Sequence, residues 1–161
     1  MAIDLIGKII IGEINEDDKL KGTDGSDDIS GLSGDDTLDG KGGEDFLDGG
    51  EDDDVLKGGG DEDELRGDNG RDVLNGGKSG DRLEGGDDND TFKFGKDFGK
   101  DTILDFDGDD DIIDLSAHDL KFNDLKIKYD DGDAIITKIP GGKIIVENVA
   151  SDSLHKSDFD F

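Results

Sequence analysis

Residues 22–93 decide the fold, because they divide without a gap into eight consecutive segments of nine residues. The segments read GTDGSDDIS, GLSGDDTLD, GKGGEDFLD, GGEDDDVLK, GGGDEDELR, GDNGRDVLN, GGKSGDRLE and GGDDNDTFK. Every segment has glycine at position 1, aspartate at position 6 and a large apolar residue at position 8. A short period repeated this strictly is typical of a solenoid of stacked coils.

Each position of the repeat predicts a piece of local structure. Glycine at position 1 predicts a tight turn with positive φ, and position 4, which holds Gly, Asp or Ser, is expected to lie in a turn as well. The last three residues alternate polar, apolar, polar, as in a short strand with one inward face. Turn and strand in repetition predict an all-β, parallel solenoid. Its core ladder is position 8: Ile29, Leu38, Leu47, Leu56, Leu65, Leu74, Leu83 and Phe92.

The composition excludes several classes of protein. The chain has 46 acidic and 18 basic residues, a formal charge of −28, so it is not expected to bind nucleic acid by neutralising phosphates. It has no cysteine for a disulfide or a zinc site, and we find no apolar run long enough to span a membrane. Only 30% of the residues are hydrophobic, and such a charged chain is disordered unless something neutralises it.

The aspartates at position 6 point to a cation. If two repeats complete one coil, residues 18 apart stack about 4.8 Å from each other. Two carboxylates at that distance repel by roughly 3–4 kcal/mol at an effective dielectric constant near 20. Oxygen ligands in turns favour Ca²⁺ over Mg²⁺, which demands stricter geometry. The alternative, turn-forming aspartates on a solvated face, explains their number but not their constant position. The candidate ligands are Asp27, Asp36, Asp45, Asp54, Asp63, Asp72, Asp81 and Asp90.

The repeats resemble the RTX, or hemolysin-type, calcium-binding repeat family. The resemblance continues through DTFKFGKDFGKDTILDFDGDDDIIDLS at residues 90–116, which is similar to the segment after the repeats of secreted RTX proteins. The final DFDF, residues 158–161, is similar to the C-termini of substrates of type I secretion. The resemblance implies a calcium-bound β-roll with a C-terminal cap, in a secreted, extracellular protein.

The resemblance also implies how each ion is held, between one repeat and the second repeat after it. The two position-6 aspartates would bind it with backbone carbonyls, which gives about six ions. The pairs are Asp27/Asp45, Asp36/Asp54, Asp45/Asp63, Asp54/Asp72, Asp63/Asp81 and Asp72/Asp90. Positions 2 and 4 of the first repeat would contribute carbonyls of Thr23, Gly25, Leu32, Gly34, Lys41, Gly43, Gly50, Asp52, Gly59, Asp61, Asp68 and Gly70. Positions 1 and 3 of the second would contribute those of Gly40, Gly42, Gly49, Glu51, Gly58, Gly60, Gly67, Asn69, Gly76, Lys78, Gly85 and Asp87.

Two departures from the repeat affect these predictions. Repeat seven has Ser79 at position 4 and its glycine, Gly80, at position 5, so its ion is expected to be the least regular. After a two-residue insertion, Gly99, Asp101 and Ile103 restore the pattern as an irregular ninth turn. Asp101 is therefore a further candidate ligand.

The flanks suggest three regions. Residues 1–21 are expected to form an N-terminal cap with a degenerate coil at residues 13–21, which lacks the glycines of the repeat but keeps Asp18 in register. Residues 22–93 form the roll, and residues 94–161 a C-terminal cap and secretion region. Within the cap, segments 125–129, 134–139 and 143–149 alternate like antiparallel strands. The two histidines, His118 and His155, fit no catalytic motif and are expected on the surface.

These observations predict a non-enzymatic, monomeric module that folds on binding Ca²⁺ after export. Residues 1–12 lack the features of a Sec signal, so the type I secretion machinery is expected to read residues 158–161. Removing those four residues should leave folding almost unchanged. The alternative is an extracellular carbohydrate- or surface-binding module of a polysaccharide-modifying enzyme. An exposed stripe of Lys, Arg and aromatic residues would favour that alternative.

Overall fold

A computed structural model describes residues 8–151 and 153–161. Residues 1–7, the start of the predicted N-terminal cap, lie outside the described residues, as does Asp152. The described chain is all-β, with sixteen strands and two short 3-10 helices, Phe122–Asp124 and Lys156–Asp158. No helix in this part of the chain is long or apolar enough to cross a membrane.

The strands form two sheets that face each other across the core. In spatial order, the nine-stranded sheet contains β1 (Ile9–Ile11), β3 (Asp28–Ser33), β5 (Phe46–Glu51), β7 (Glu64–Asn69), β9 (Arg82–Asp87), β11 (Gly99–Ile103), β15 (Gly142–Val146), β14 (Asp133–Ile139) and β13 (Lys126–Asp130). The seven-stranded sheet contains β16 (Phe159–Asp160), β12 (Ile112–Asp114), β10 (Thr91–Lys93), β8 (Val73–Gly77), β6 (Val55–Gly59), β4 (Thr37–Asp39) and β2 (Lys19–Lys21).

Successive strands alternate between the two sheets, so two nonapeptides make one coil of the solenoid. Each repeat strand pairs in parallel with the strand 18 residues further on, as Leu47 does with Leu65 and Leu38 with Leu56. All eight position-8 side chains are fully buried, and each contributes about 1.5–3 kcal/mol by leaving water. The predicted parallel β-roll and its core ladder are confirmed.

The turn geometry corrects one sequence prediction. Positive φ occurs at positions 2 and 4 of the repeats, for example at Lys41 (89°) and Asp52 (79°), and not at the glycines of position 1. Besides glycines, the residues with this conformation in the repeats are Leu32, Lys41, Asp52, Asp61, Asp68, Ser79 and Asp88. Position 1 requires glycine for a different reason, which is lack of space.

The C-terminal cap continues the roll. Strands β13, β14 and β15 are antiparallel, close to the predicted segments, and β15 pairs in parallel with β11 of the roll. Ile136, Ile144 and Val146 extend the buried ladder, and Phe94 and Phe98 pack together with ring centroids 5.1 Å apart. The sheets run without a break past residue 93, and the predicted three-region division stays a prediction.

The last residues take part in the fold. Strand β16 pairs in parallel with β12, Leu115 N donates to Asp160 O at 2.8 Å, and Phe159 is buried. The expectation that residues 158–161 are dispensable for folding is therefore wrong, because they form an edge strand and contribute to the core.

One of the two histidines is not where the sequence predicts. His118 is buried beside Phe98, with ring centroids 6.1 Å apart in an edge-on arrangement, and its Nε2 has no hydrogen-bond partner. The expectation of a surface position is wrong for His118, because the turn after β12 folds it onto the aromatic cluster of the cap. His155 is exposed, as predicted.

Candidate metal centre

The position-6 aspartates stack into two ladders, one beside each sheet. The backbone N–H of each aspartate donates to Oδ1 of the aspartate one coil later, as Asp36 does to Asp54 at 2.7 Å and Asp54 to Asp72 at 2.8 Å. One ladder contains Asp27, Asp45, Asp63, Asp81 and Asp101. The other contains Asp18, Asp36, Asp54, Asp72, Asp90 and Asp111.

The second carboxylate oxygen of most of these aspartates has no partner. A buried oxygen that accepts no hydrogen bond loses its hydration without compensation, which costs about 1–3 kcal/mol for a neutral group and more for a charge. All members of this set are buried, with at most 4% of the residue exposed. The set with a buried, unpartnered Oδ2 is Asp36, Asp45, Asp54, Asp63, Asp72, Asp81, Asp90 and Asp101.

In the regular repeats, the unpartnered oxygens lie beside the glycines of position 1. A Cβ added to Gly40 would lie 2.8 Å from the carbonyl oxygen of Gly58 and would collide with Asp45 Oδ2. Gly49 has the same surroundings, with Asp54 Oδ2 and the carbonyl of Gly67 one coil later. The invariant glycine therefore lets a carboxylate oxygen and a carbonyl oxygen from successive coils approach one point of the backbone.

The other predicted carbonyl positions lie at the same junction between coils. A Cβ on Gly50 would press on the carbonyl of Leu32, one coil earlier at position 2, and a Cβ on Gly70 on that of Asp52 at position 4. Position 3 is more open, since a Cβ on Gly42 would meet no atom closer than 4.0 Å. Successive coils therefore bring together positions 1, 2, 4 and 6 of their repeats.

The donor set fits a hard cation held by oxygens from both side chain and backbone. Within residues 8–151 and 153–161, no three His, Cys, Asp or Glu side chains gather in a way that could hold a metal. Any ion at this junction would thus need carbonyl ligands besides the two aspartates of a pair. Ca²⁺ accepts six to eight such oxygens in flexible geometry.

Burial makes the charge of the ladder carboxylates unfavourable when no cation faces them. Loss of solvent is the largest cause, and the neighbouring aspartates of the ladder add to it. The pKa is raised to about 6 in Asp45, Asp72 and Asp81, about 7 in Asp54 and Asp90, and about 8 in Asp63 and Asp101.

At three of the four ladder ends, Asp18, Asp27 and Asp111, Oδ2 accepts a backbone hydrogen bond, whereas at the fourth end Asp101 Oδ2 has no partner. Asp27 Oδ2 accepts from Thr23 N at 2.5 Å and Asp27 Oδ1 from Lys8 N at 2.6 Å. Burial acts to raise the pKa of Asp27, but these hydrogen bonds outweigh it and the pKa is lowered. Asp18 Oδ2 accepts from Glu13 N at 2.6 Å, and Asp111 Oδ2 from Asp107 N at 2.9 Å.

Sequence reasoning placed Asp18 in register but missed one ladder member, Asp111, and one glycine. Asp111 was not predicted as part of the site, because it follows Asp90 by 21 residues instead of 18. Gly12 takes the role of the position-1 glycine in the first coil, although this coil was expected to lack the glycines. A Cβ added to Gly12 would lie 2.7 Å from Asp18 Oδ2. The signal that marks both aspartates is a large apolar residue two positions later, Leu20 and Ile113.

Repeat seven fits the ladder despite its altered sequence. Ser79 adopts the positive φ of position 4 at 84°, and Asp63 N donates to Asp81 Oδ1 at 3.0 Å. Asp81 Oδ2 is unpartnered like those of its neighbours. The structure gives no reason to set this repeat apart from the others at the aspartate ladder.

Comparison with one solved structure supports the fold, and a second has a weaker likeness. The AlgE6R3 subunit of the mannuronan C5-epimerase from Azotobacter vinelandii aligns with a TM-score of 0.51 and 23% identity, over 99% of this chain and 81% of that subunit. The extracellular lipase LipA from Serratia marcescens aligns with a TM-score of 0.44 and 17% identity, over 96% of this chain and 38% of the lipase. No curated protein matches the sequence.

Comparison with protein families identifies the repeats themselves. The profile described as the RTX calcium-binding nonapeptide repeat matches residues 15–47, 39–74 and 57–92. These matches span the coils that carry the ladder aspartates from Asp18 to Asp90 and stop before Asp101 and Asp111. The repeats of this chain thus belong to the RTX calcium-binding nonapeptide repeat family.

Proposed function

We propose that the chain is an extracellular module that binds Ca²⁺ between successive coils and folds when it does so. The observation that carries this proposal is the set of eight buried, unpartnered aspartate oxygens, seven of them beside a glycine of position 1. When bound there, Ca²⁺ supplies the positive charge that the ladder lacks. The chain's own contribution is to hold aspartate and carbonyl oxygens in register from two coils at once.

The ligands of the proposed sites are the position-6 aspartates with the carbonyls of positions 1 to 4 predicted from the repeat. Asp101 joins them, because its Oδ2 is buried and unpartnered and its Oδ1 accepts from Asp81 N at 3.1 Å. A bound ion would stabilise Asp27 least, since both of its carboxylate oxygens already accept hydrogen bonds. We propose about six ions in the regular repeats, with a further position at Asp101.

Charge supports folding that depends on the ion. Residues 22–93 contain 24 acidic and 7 basic residues, a net charge of −17. Six divalent ions would offset about twelve of these charges, whereas each ion pair among the described residues, such as Arg66–Glu84, has at least one partner that is substantially exposed to solvent. Without the ion, repulsion along the ladders opposes the coil.

Folding that depends on Ca²⁺ also supports secretion. Extracellular calcium modules bind in the range of about 10⁻⁴–10⁻³ M, far above the free Ca²⁺ inside a cell. A chain tuned to that range stays unfolded until it is exported, and its charge keeps it soluble meanwhile. We propose type I export with residues 158–161 as part of the address, and a monomeric, non-enzymatic role outside the cell.

A calcium titration tests the proposal. Far-UV circular dichroism and amide hydrogen exchange are measured in chelator, then with increasing Ca²⁺, with Mg²⁺ as the matched control. We expect a cooperative gain of β structure with Ca²⁺ and not with Mg²⁺, together with slow exchange in the repeats. Equal folding in chelator near neutral pH would contradict the proposal. Export is tested separately, by fusing residues 94–161 with and without residues 158–161 to a reporter in cells that carry a type I exporter.

A further inference from the structure

The two sheets do not end together at the C-terminal cap. Both begin in the first coil, but the nine-stranded sheet extends further at its C-terminal end through β14 and β13. Ile127 of β13 pairs in register with the fully buried Ile136 of β14, so its side chain points to the inner side of the sheet. Tyr129 does the same opposite the buried Ala134. Both β13 side chains are only half-buried, because the seven-stranded sheet ends at β16.

An open groove lies beneath the inner side of β13. Its first part has a volume of about 560 Å³ and is lined by Phe122, Asn123, Leu125, Ile127, Tyr129 and Leu154. The second part, of about 380 Å³, shares Phe122 and Asn123 with the first and is lined further by Lys121, Lys156 and Phe161. We call the two parts together the cap groove. Its apolar side chains are buried or half-buried, so they form a recess and do not protrude.

Packing and one hydrogen bond hold the walls of the cap groove. Phe122 packs on Phe159 with ring centroids 5.4 Å apart, and Phe159 stacks on Phe161 at 5.9 Å. Leu154 N donates to the hydroxyl of Tyr129 at 3.1 Å, which ties the C-terminal segment to β13. The folded cap itself therefore shapes the groove.

Positive charge is confined to one end of the cap groove. Lys121 and Lys156 line its second part, whereas the lining of the first part has no charged side chain. Neither lysine forms an ion pair with a carboxylate of the described residues. The acidic residues that follow them closely in the chain accept hydrogen bonds from backbone N–H groups: Asp124, Asp158 and Asp160. The groove is thus apolar at one end and cationic at the other.

We propose that the cap groove binds a fatty acid, with its carboxylate beside Lys121 and Lys156 and its alkyl chain along β13. Ligand sites of this volume are lined mostly by apolar and aromatic side chains, with a few polar groups that fix the orientation. An alkyl chain needs no hydrogen-bond partner, and in the first part of the groove only Asn123 and Tyr129 have polar side chains. The two lysines favour an anionic head group over a neutral one.

Other occupants fit the cap groove less well. An extended peptide would bury amide groups against apolar side chains that cannot accept or donate hydrogen bonds. Such a peptide would add instead to the outer edge of β13, the last strand of its sheet. A bilayer is bound by apolar side chains that insert into it, whereas those of the groove are recessed. A second copy of the chain would be repelled by its net charge of −28.

The test uses the single tyrosine of the chain as its reporter, because Tyr129 lines the groove and the chain has no tryptophan. The fluorescence of the calcium-loaded chain is titrated with octanoate and decanoate, at concentrations where their calcium salts stay dissolved. Decanol serves as the neutral amphiphile of the same length. Each buried CH₂ group raises affinity about fourfold, so we expect decanoate to bind about fifteenfold more tightly than octanoate.

The lysines are tested with a double variant, Lys121→Gln with Lys156→Gln. We expect it to weaken decanoate binding by about tenfold or more, because the carboxylate loses both charged partners, and to leave decanol binding unchanged. Lys126→Gln is the matched control, since Lys126 is exposed on the other side of β13, and it should bind decanoate like the wild type.

Several outcomes would overturn the inference. They are an unchanged fluorescence of Tyr129 with decanoate, equal affinities for octanoate and decanoate, or undiminished decanoate binding by the double variant. Tighter binding of anionic phospholipid vesicles or of an extended apolar peptide than of decanoate would also overturn it, as would a calcium-loaded dimer in light scattering that the double variant dissociates. Circular dichroism of the same samples separates this inference from the proposed function, beyond which it goes. A chain that gains β structure with Ca²⁺ yet does not bind decanoate overturns the cap groove alone.

Discussion

Replacing Asp54 by asparagine should have opposite effects with and without Ca²⁺. The asparagine amide would keep an oxygen to accept the hydrogen bond that Asp36 N donates at 2.7 Å, and it would fill nearly the same volume. What the change removes is the charge of a fully buried carboxylate that belongs to two predicted pairs, with Asp36 and with Asp72. The change therefore isolates the electrostatics of the ladder.

The magnitudes follow from the stacking. Each neighbouring carboxylate, about 4.8 Å away, repels an ionised Asp54 by about 3.5 kcal/mol at an effective dielectric constant of 20. When Ca²⁺ is bound, removing the charge of an aspartate that faces the ion lowers the free energy of unfolding by about 3–5 kcal/mol, as for a buried ion pair. Asp54 belongs to two predicted ion sites, so the variant disturbs both. Divided over the roughly six ions that bind on folding, a cost of about 6–10 kcal/mol should move the calcium midpoint about five- to fifteen-fold higher in concentration, since about 1.4 kcal/mol per ion corresponds to a factor of ten.

In chelator the sign reverses. Burial raises the pKa of Asp54 to about 7, so the stability of the coil without a cation is present at low pH and is lost as the pH rises through that value. Asparagine does not ionise, and the variant should keep its β structure to a higher pH than the wild type.

The assay is circular dichroism, titrated with Ca²⁺ near neutral pH and with pH in chelator. Asp28→Asn is the matched control, since Asp28 is exposed on β3 and lies outside the ladder. Asp27→Asn should raise the calcium midpoint less than the Asp54 change does. An unchanged calcium midpoint for Asp54→Asn, or a lower pH midpoint in chelator, would refute the reasoning.

Three further predictions concern space, protons and the C-terminus. Gly49→Ala should lower the free energy of unfolding by about 1–3 kcal/mol and raise the calcium midpoint, because its Cβ would meet Asp54 Oδ2 and a carbonyl oxygen. Gly95→Ala is the control, since there is open space around Gly95. Equal effects of the two changes on the calcium midpoint would count against the site. In chelator, the wild type should lose β structure as the pH rises from the ordinary aspartate pKa of 3.8 toward the raised values of about 6 to 8, and unchanged β structure from about pH 4 to pH 8 would contradict the raised pKa values. Phe159→Ala should destabilise the calcium-loaded chain by about 3–5 kcal/mol in thermal unfolding, and no change in the melting temperature would show that β16 does not contribute to the core.

The repeat determines the coil so strictly that its core could be predicted from the sequence residue by residue. The period places every position-8 side chain inward, because two nonapeptides return the chain to the same sheet. The purpose of the position-1 glycine could not be predicted, since a need for positive φ and a need for space leave the same residue in the sequence. The φ angles of the turns and the atoms around glycines such as Gly49 distinguish the two.

The parts that sequence reasoning missed depend on contacts outside the period. Asp111 belongs to the ladder although it follows Asp90 by 21 residues, a spacing that the regular repeat does not predict. Lys100 and Lys143 are 43 positions apart and become neighbours only because β15 pairs with β11. His118 looks like a surface residue until the turn after β12 places it against Phe98.

The aspartate ladder has a direction. In every rung, the amide of the earlier coil donates and the carboxylate of the later coil accepts, from Asp18 to Asp36 at one end through to Asp90 and Asp111 at the other. The carboxylate of a later coil can therefore be positioned before the earlier coil is ordered. The amide of the earlier coil has its hydrogen bond only once that carboxylate is in place. Order should spread through the roll from the C-terminal cap toward the N-terminus, and damage to one coil should loosen the coils before it more than those after it.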